Sequence, residues 1–393
     1  MGRVLEGARL AGYGAAYFFA SGAFMSYWPV WLHDRGITDA EIGTLFMTRQ
    51  LASVVAVLGI GFLAHRLGGL RGLLLGLAAA AIVMMGAYQL SYTFLALFVV
   101  GLAWGCIWSP TMALYDGVLV NEAKARGFIY GRLRVWSSVA FIAGTLICGV
   151  AVDRYGPPSV LFVGWAGIFC LLPLALALPR GEGHARKGPA AAPFGFGELF
   201  RSKSFLLFLV AAGFCQSSHA VLYSFGTLTW RRAGIDDVTI SMLWGESVTV
   251  EIGLMLVSGW LMQRIGVTGL IGLGLGCGML RWTAMAYTTD LPALILLQAL
   301  HAGTFAACHL GAMAFIQRAL PSNGTALGQS IYYGLGTGAT QAVIYQFAGL
   351  LYERFGQQAF LGMTAISAIG MICLLTLARR WDGGLLVGAP ARP

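Results

Sequence analysis

GVAVDRYG at 149–156 and GLLYERFG at 349–356 are one phrase spelled twice: Gly, three small or apolar residues, an acid, Arg, an aromatic residue and Gly. GFLAHRLG at 61–68 and GWLMQRIG at 259–266 keep the frame, with His or Gln in the acidic place. The four copies begin at 61, 149, 259 and 349, so neighbours within a half lie 88 or 90 residues apart and counterparts 198 or 200. The spacing predicts two halves of about 200 residues, each divided again.

Composition says what those halves are made of. Only 10% of residues are charged and 58% are hydrophobic, against about 25% charged in a soluble domain, and the mean hydropathy is +0.75. The apolar runs are long enough to cross a bilayer core of about 30 Å as helices. They do not alternate as barrel strands would; 73–85 and 365–377 are continuously apolar. Twelve spans are predicted, near 10–32, 40–64, 72–89, 92–119, 129–152, 159–178, 204–230, 239–262, 268–288, 291–317, 324–351 and 358–378. The one long polar connection, 179–203, then links a six-helix bundle over 1–178 to another over 204–393.

Basic residues orient the chain, because cytoplasmic loops retain Lys and Arg. With the N-terminus inside, only Arg35, Arg154, Arg231, Arg232 and Arg354 fall outside, and Arg49 and Arg281 fall within spans; the rest of the 25 Lys and Arg are cytoplasmic. Both termini and the linker are therefore expected on the cytoplasmic side of a cell (inner) membrane. The net charge of +9 lies in short loops flanking spans, which removes it as a sign of nucleic-acid binding. The first apolar stretch is a full span, so no cleavable leader is expected. The seven cysteines are scattered singly through the spans, with neither metal nor disulfide spacing.

On this topology two copies of the phrase end spans two and eight at one face, and two end spans five and eleven at the other. A three-span unit is thus used four times with alternate copies inverted. That is the architecture of major facilitator transporters, all-α membrane proteins with nested inverted three-helix repeats. The phrase itself serves helix termination, Gly permitting the turn and the charged pair staying at the interface.

GFLAHRLGGLR (61–71) resembles the cytoplasmic loop motif of the major facilitator superfamily, Gly-x-x-x-Asp-Arg-x-Gly followed by basic residues, with His65 where Asp is usual. The resemblance implies a cytoplasmic gate role for His65 and Arg66, in which the His in place of Asp either removes that specific interaction or makes it pH-sensitive. PTMALYDG (110–117), YGRLRVWSSVAFIAG (130–144), SSHAVLYSFGTLTW (217–230), LWGESVTVEIG (243–253) and LQALHAGTFAACHLGAM (297–313) are similar to the phenylpropionate permease group. That group is related to proton symporters of the lactose permease type, so the resemblance implies proton coupling.

Ionisable groups at bilayer depth are costly and face a partner or a wet cavity. In the C-terminal half, Glu251, Arg281 and His301 fall near the midplane when depth is counted at about 1.5 Å per residue. Gln298, His301, Phe305 and His309 share one helical face. A carboxylate in low dielectric holds its proton, and an approaching Arg expels it. These three residues therefore have the types for a proton-coupling switch; a static ion pair packing spans eight to ten is the other reading. Glu246, two turns into its span, ranks below them.

In the N-terminal half, Arg49 is a fixed planar cation suited to a carboxylate on a substrate, or to an internal salt bridge. Asp116 and Arg134, near the inner ends of adjacent spans, read as a gate or packing pair. Aromatic and polar residues on the cavity-lining spans, Tyr17 and Trp108 in the first half and His219, Tyr223 and Gln298 in the second, are candidates for substrate contact, since phenol and indole both stack and hydrogen-bond. Packing is the competing role for each aromatic.

The sequence offers no metal spacing, nucleophile motif or phosphate loop, so no enzyme activity, cofactor or metal is expected. The partners expected are a small-molecule substrate, protons and membrane lipid, with the chain working as a monomer. The function read from these residues is secondary active transport by alternating access, with proton-coupled symport of a small organic solute such as an aromatic carboxylic acid. Sugar or nucleoside symport, drug or metabolite export, and a membrane sensor or scaffold are the alternatives.

Overall fold

The computed structural model describes residues 2–67, 70–179 and 195–386, the side chains of 2–3, 61–67 and 196 excepted. Among the described residues there is helix and no strand. The first six spans are Gly2–Asp34, Asp39–Leu67, Leu70–Gln89, Phe94–Arg126, Tyr130–Tyr155 and Ser159–Ala177. A short helix, Phe196–Arg201, precedes span seven, which runs as Lys203–Ser217 and Ala220–Arg232 with a break at 218–219. Spans eight and nine lie within Asp237–Met285 as two helices that meet at the non-helical Gly266. Span ten is Leu291–Ala299, a π-helical turn Ala302–Ala307 and Cys308–Ala319; span eleven is Thr325–Ile331, a second π segment Tyr332–Ala339 and Thr340–Phe355; span twelve is Phe360–Arg380. Among the described residues the helices thus account for all twelve predicted spans of an all-α membrane protein. Each lies within a few residues of its predicted bounds except at the start of span one and the end of span four, where stretches bearing charged residues continue the helix.

The repeated phrase has a backbone cause. Its last glycine takes a positive φ at three copies: Gly156 (φ 81, ψ 177), Gly266 (φ 69, ψ −171) and Gly356 (φ 55, ψ −131). Non-glycine residues pay about 1–3 kcal/mol in such regions. The fourth, Gly68, lies outside the described residues. Arg154 and Arg354 stand in the last turns of their helices, where a cation meets the negative end of the helix dipole.

Two compact units divide the chain. One comprises Met1–Ala185 and Phe225–Gly245; the other comprises Arg186–Ser224 and Glu246–Pro393. In the first, span one packs on spans five and six, and span two on span four. The backbones of spans one and five touch, since a Cβ on Gly144 would collide with the Phe19 carbonyl oxygen. Residues 225–245 are tied to span one by Tyr27, whose hydroxyl donates to the Asp237 carbonyl at 2.5 Å, and by Thr227, whose hydroxyl donates to the Ser26 carbonyl at 2.6 Å. In the second unit, Lys203–Ser217 packs against span twelve and the π segment of span eleven, around a core that includes Phe205, Phe208, Phe315 and Tyr332.

Candidate functional site

The second unit gathers Glu251, Arg281, His301, His219, Tyr223 and Gln298, singled out from the sequence, into one cluster that is buried apart from half-buried Glu251 and Tyr223. Arg281, His219, Gln298 and Thr304 are fully buried and His301 nearly so. One guanidinium nitrogen of Arg281, Nη1, lies 3.1 Å from His301 Nδ1 and donates to Thr304 Oγ1 at 3.2 Å; Nη2 donates to Gln298 Oε1. On the far side of the imidazole, His301 Nε2 stands 4.0 Å from the Glu251 carboxylate. Thr304 Oγ1 is also 2.9 Å from His219 Nε2, whose ring stacks on Tyr223 at 5.3 Å between centroids. Half-buried Glu246 lies within electrostatic reach of Arg281.

These contacts fix where the protons sit. A guanidinium only donates, so His301 Nδ1 accepts and the ring proton is on Nε2, directed at Glu251. A doubly protonated His301 would face Arg281 with two opposed donors and two like charges. His219 is set in the same way: Nδ1 donates to the Gln216 carbonyl at 3.0 Å, leaving Nε2 to accept from the Thr304 hydroxyl. The result is an ordered chain, Arg281 to neutral His301 to Glu251. Residue types alone suggest that Glu251 faces Arg281 directly; in the structure an imidazole stands between them.

The backbone is irregular where these side chains converge. The π-helical turn of span ten widens the helix to i→i+5 bonding, a feature frequent at functional sites. Span seven receives it: Cys215 Sγ donates to the Thr304 carbonyl at 3.4 Å and Gln216 Nε2 to the Phe305 carbonyl at 3.1 Å. At the break in span seven, Ser218 accepts from Trp282 Nε1 at 3.0 Å, and the Arg281 guanidinium lies 4.7 Å from the Trp282 ring. The rings of His301 and Phe305 stack at 5.5 Å, and His309 meets Tyr333 of span eleven at 6.2 Å.

The first unit holds a separate arrangement. Arg49 lines a narrow cleft with Trp28, Leu32, Phe46, Tyr88 and Leu97 among its other walls, and its guanidinium lies 4.7 Å from the Phe46 ring. Its backbone is fixed by span four, since a Cβ on Gly105 would collide with the Arg49 carbonyl oxygen. Among the described residues no carboxylate pairs with Arg49. Tyr17 stacks on Trp108 at 4.1 Å and gives its hydroxyl proton to the Trp108 carbonyl at 3.2 Å; Trp104 extends the stack at 4.8 Å. Among the described residues Asp116 and Arg134 form no ion pair with each other; Asp116 accepts from the Tyr130 hydroxyl at 3.1 Å, and Arg134 lies 4.3 Å from the Phe18 ring. The side chains of His65 and Arg66 lie outside the described residues.

Residues 9–362 match the MFS_1 like family. The chain belongs to this family of major facilitator transporters. The transporter is 30% identical over 362 residues, 90% of its own length and 93% of the relative's, to an Escherichia coli K12 protein named "Probable 3-phenylpropionic acid transporter". It is 23% identical over 382 residues, 91% of its length and 88% of the relative's, to the raffinose permease of Escherichia coli. A solved structure of the nucleoside transporter NupG shares the fold at a TM-score of 0.85, with 15% identity over 95% of this chain and 99% of that one. The transporter is accordingly a multi-pass membrane protein that moves a small molecule.

Sequence reasoning missed Thr304, Gln216, Trp282 and, at Arg49, Trp28 and Tyr88. Thr304 carried a usable signal, lying three residues after His301 on the same helix. The others are ordinary apolar or polar residues whose role arises only from where other spans put them.

Proposed function

We propose that the transporter is a proton-coupled symporter of small aromatic carboxylates, working in a cell membrane with both termini cytoplasmic. The observation that carries proton coupling is the Arg281–His301–Glu251 chain, in which an ionisable carboxyl ends a neutral imidazole with a buried cation behind it. Protonation neutralises Glu251 and suits a closed, dry state. When the cavity opens inward, water and the guanidinium favour the carboxylate, and the proton leaves. Arg49 supplies the complementary charge for the solute: its guanidinium pairs with a carboxylate while Trp28, Phe46 and Tyr88 offer faces for an aryl ring. The name of the relative at 30% identity supports this substrate class. The division into bundles over 1–178 and 204–393, joined by a cytoplasmic linker over 179–203, belongs to the same proposal.

Purified transporter in liposomes tests it. Uptake of labelled 3-phenylpropionate should exceed equilibrium when the lumen is made alkaline, and a protonophore should abolish the excess. Raffinose and uridine serve as competing solutes, and accumulation of either in place of the aryl acid refutes the substrate class. A cysteine placed in the linker of a cysteine-free variant should resist an impermeant maleimide added to intact cells; ready labelling overturns the orientation.

A further inference from the structure

Residues 225–245, the outer ends of spans seven and eight, belong to the first unit, yet both ends of this hairpin continue into helices of the second. Short bonds and bare backbone seat the hairpin. Thr227 gives its hydroxyl proton to the Ser26 carbonyl at 2.6 Å and accepts from Trp244 Nε1 at 2.9 Å, while Tyr27 donates to the Asp237 carbonyl at 2.5 Å. The same Asp237 carbonyl lies against Gly149 of span five: a Cβ there would stand 2.7 Å from its oxygen and 2.5 Å from Ser241 Cβ. Tyr27 and Ser241 are fully buried and Asp237, Thr227 and Trp244 nearly so, so the seat excludes water. Gly149 is the first residue of the repeated phrase, and helix termination does not explain it. It sits inside Tyr130–Tyr155, where glycine is about 1 kcal/mol worse than alanine, and its use is the close approach of span eight.

We infer that Gly149 is a closure position of the outer face: its missing side chain lets span eight seat on span five, and a side chain there holds the transporter open to the outside. The inference rests on the transport reading and the orientation above. Exchange of solute with the outside requires this dry seat to part, and what crosses it at Gly149 is van der Waals contact alone. The Ser241 hydroxyl can rotate away from an added methyl. Ser241 Cβ and the Asp237 carbonyl are fixed by the backbone and cannot. Span eight would have to withdraw until these contacts reach an ordinary 3.4 Å, taking the Asp237 carbonyl from Tyr27. The phrase in span eight supplies a contrast. Its first glycine, Gly259, lies 18 residues from Ser241, about five turns along and so on the same helical face, but a Cβ added there meets nothing within 4 Å.

Ser26→Cys in a cysteine-free variant puts a thiol in the seat and leaves the Ser26 carbonyl in place. Its labelling by an impermeant maleimide on right-side-out vesicles reads how often the seat opens. Adding Gly149→Leu should speed labelling about tenfold, as when a minor open state rises from about 1% to about 10%. Gly149→Ala should speed it less, and Ser241→Gly added to that variant should return the rate most of the way to the parent's, because the nearest Cβ is gone. Gly259→Leu should label no faster than the parent. If the Leu variant does not fold, the Ala variant and its Ser241→Gly partner decide the matter. Parent-rate labelling in the Gly149 variants overturns the inference, as does equal acceleration in Gly259→Leu or a failure of Ser241→Gly to slow the Ala variant. Acceleration confined to inside-out vesicles instead refutes the proposed orientation, and with it the assignment of this seat to the outer face.

Discussion

Replacing Glu251 by Gln keeps side-chain size and removes the titration, so Glu251→Gln can distinguish coupling from packing. Glu251 meets His301 at 4.0 Å and is partly exposed, and His301 is neutral because its Nδ1 accepts from Arg281. The contact at stake on that side is therefore an electrostatic approach of a neutral N–H to a carboxylate at 4.0 Å, beyond hydrogen-bond range, and a glutamine Oε1 can occupy the same place. Its removal should cost no more than about 1.5 kcal/mol. Breaking a buried ion pair would cost about 3–5 kcal/mol and impair every mode of transport together. Under a gradient of one pH unit, a symporter moving one proton per solute can accumulate solute about tenfold, since one unit is worth about 1.36 kcal/mol. The Gln variant should fall to no accumulation under that gradient and still perform solute counterflow, because exchange needs no deprotonation. Reconstituted vesicles give both measurements on one preparation, and thermal unfolding reads the stability. Uphill uptake by the Gln variant with normal proton stoichiometry would refute the assignment; loss of counterflow together with a collapse in thermal stability would return Glu251 to a packing role.

Arg49→Gln should abolish 3-phenylpropionate binding by calorimetry with the fold intact, and Arg49→Lys should recover part of it, lacking the planar fork; unchanged affinity in the Gln variant would remove Arg49 from the solute site. Gly266→Ala and Gly356→Ala should each destabilise the protein by about 1–3 kcal/mol through backbone strain alone, since nothing stands within 4 Å of an added Cβ at either position; unchanged unfolding temperatures would contradict the helix-termination reading of the phrase. Asp236 caps span eight, its carboxylate accepting from the Thr239 amide at 2.8 Å and hydroxyl at 2.7 Å, and these bonds hold it below the usual carboxylate range. Its contribution is therefore present above about pH 4 and lost as pH falls through the lower folded value. Asp236→Ala should lower the unfolding temperature at pH 7, and the gap to wild type should narrow as the pH falls below about 4.

The membrane class, the twelve spans and the fourfold phrase are legible in the chain alone. Each rests on a local rule: bilayer thickness sets the length of an apolar run, and a glycine at positive φ ends a helix wherever it stands. The ionisable residues of the second unit are legible too, since Glu251, Arg281 and His301 are conspicuous among apolar neighbours. Their order is not. Helical spacing places His301 near the midplane, but only the packing of span nine against the π turn of span ten puts its imidazole between Arg281 and Glu251. Cys215 and Gln216 of span seven make that turn tolerable by donating to its irregular carbonyls. Asp116 and Arg134 show the same limit: adjacency of antiparallel spans suggests a gate or packing pair, and only the rotation of each helix brings Tyr130 to Asp116 and the Phe18 ring to Arg134. Side-chain pairing depends on helix rotation and depth to within an ångström or two, and these are set by contacts between residues far apart in the chain.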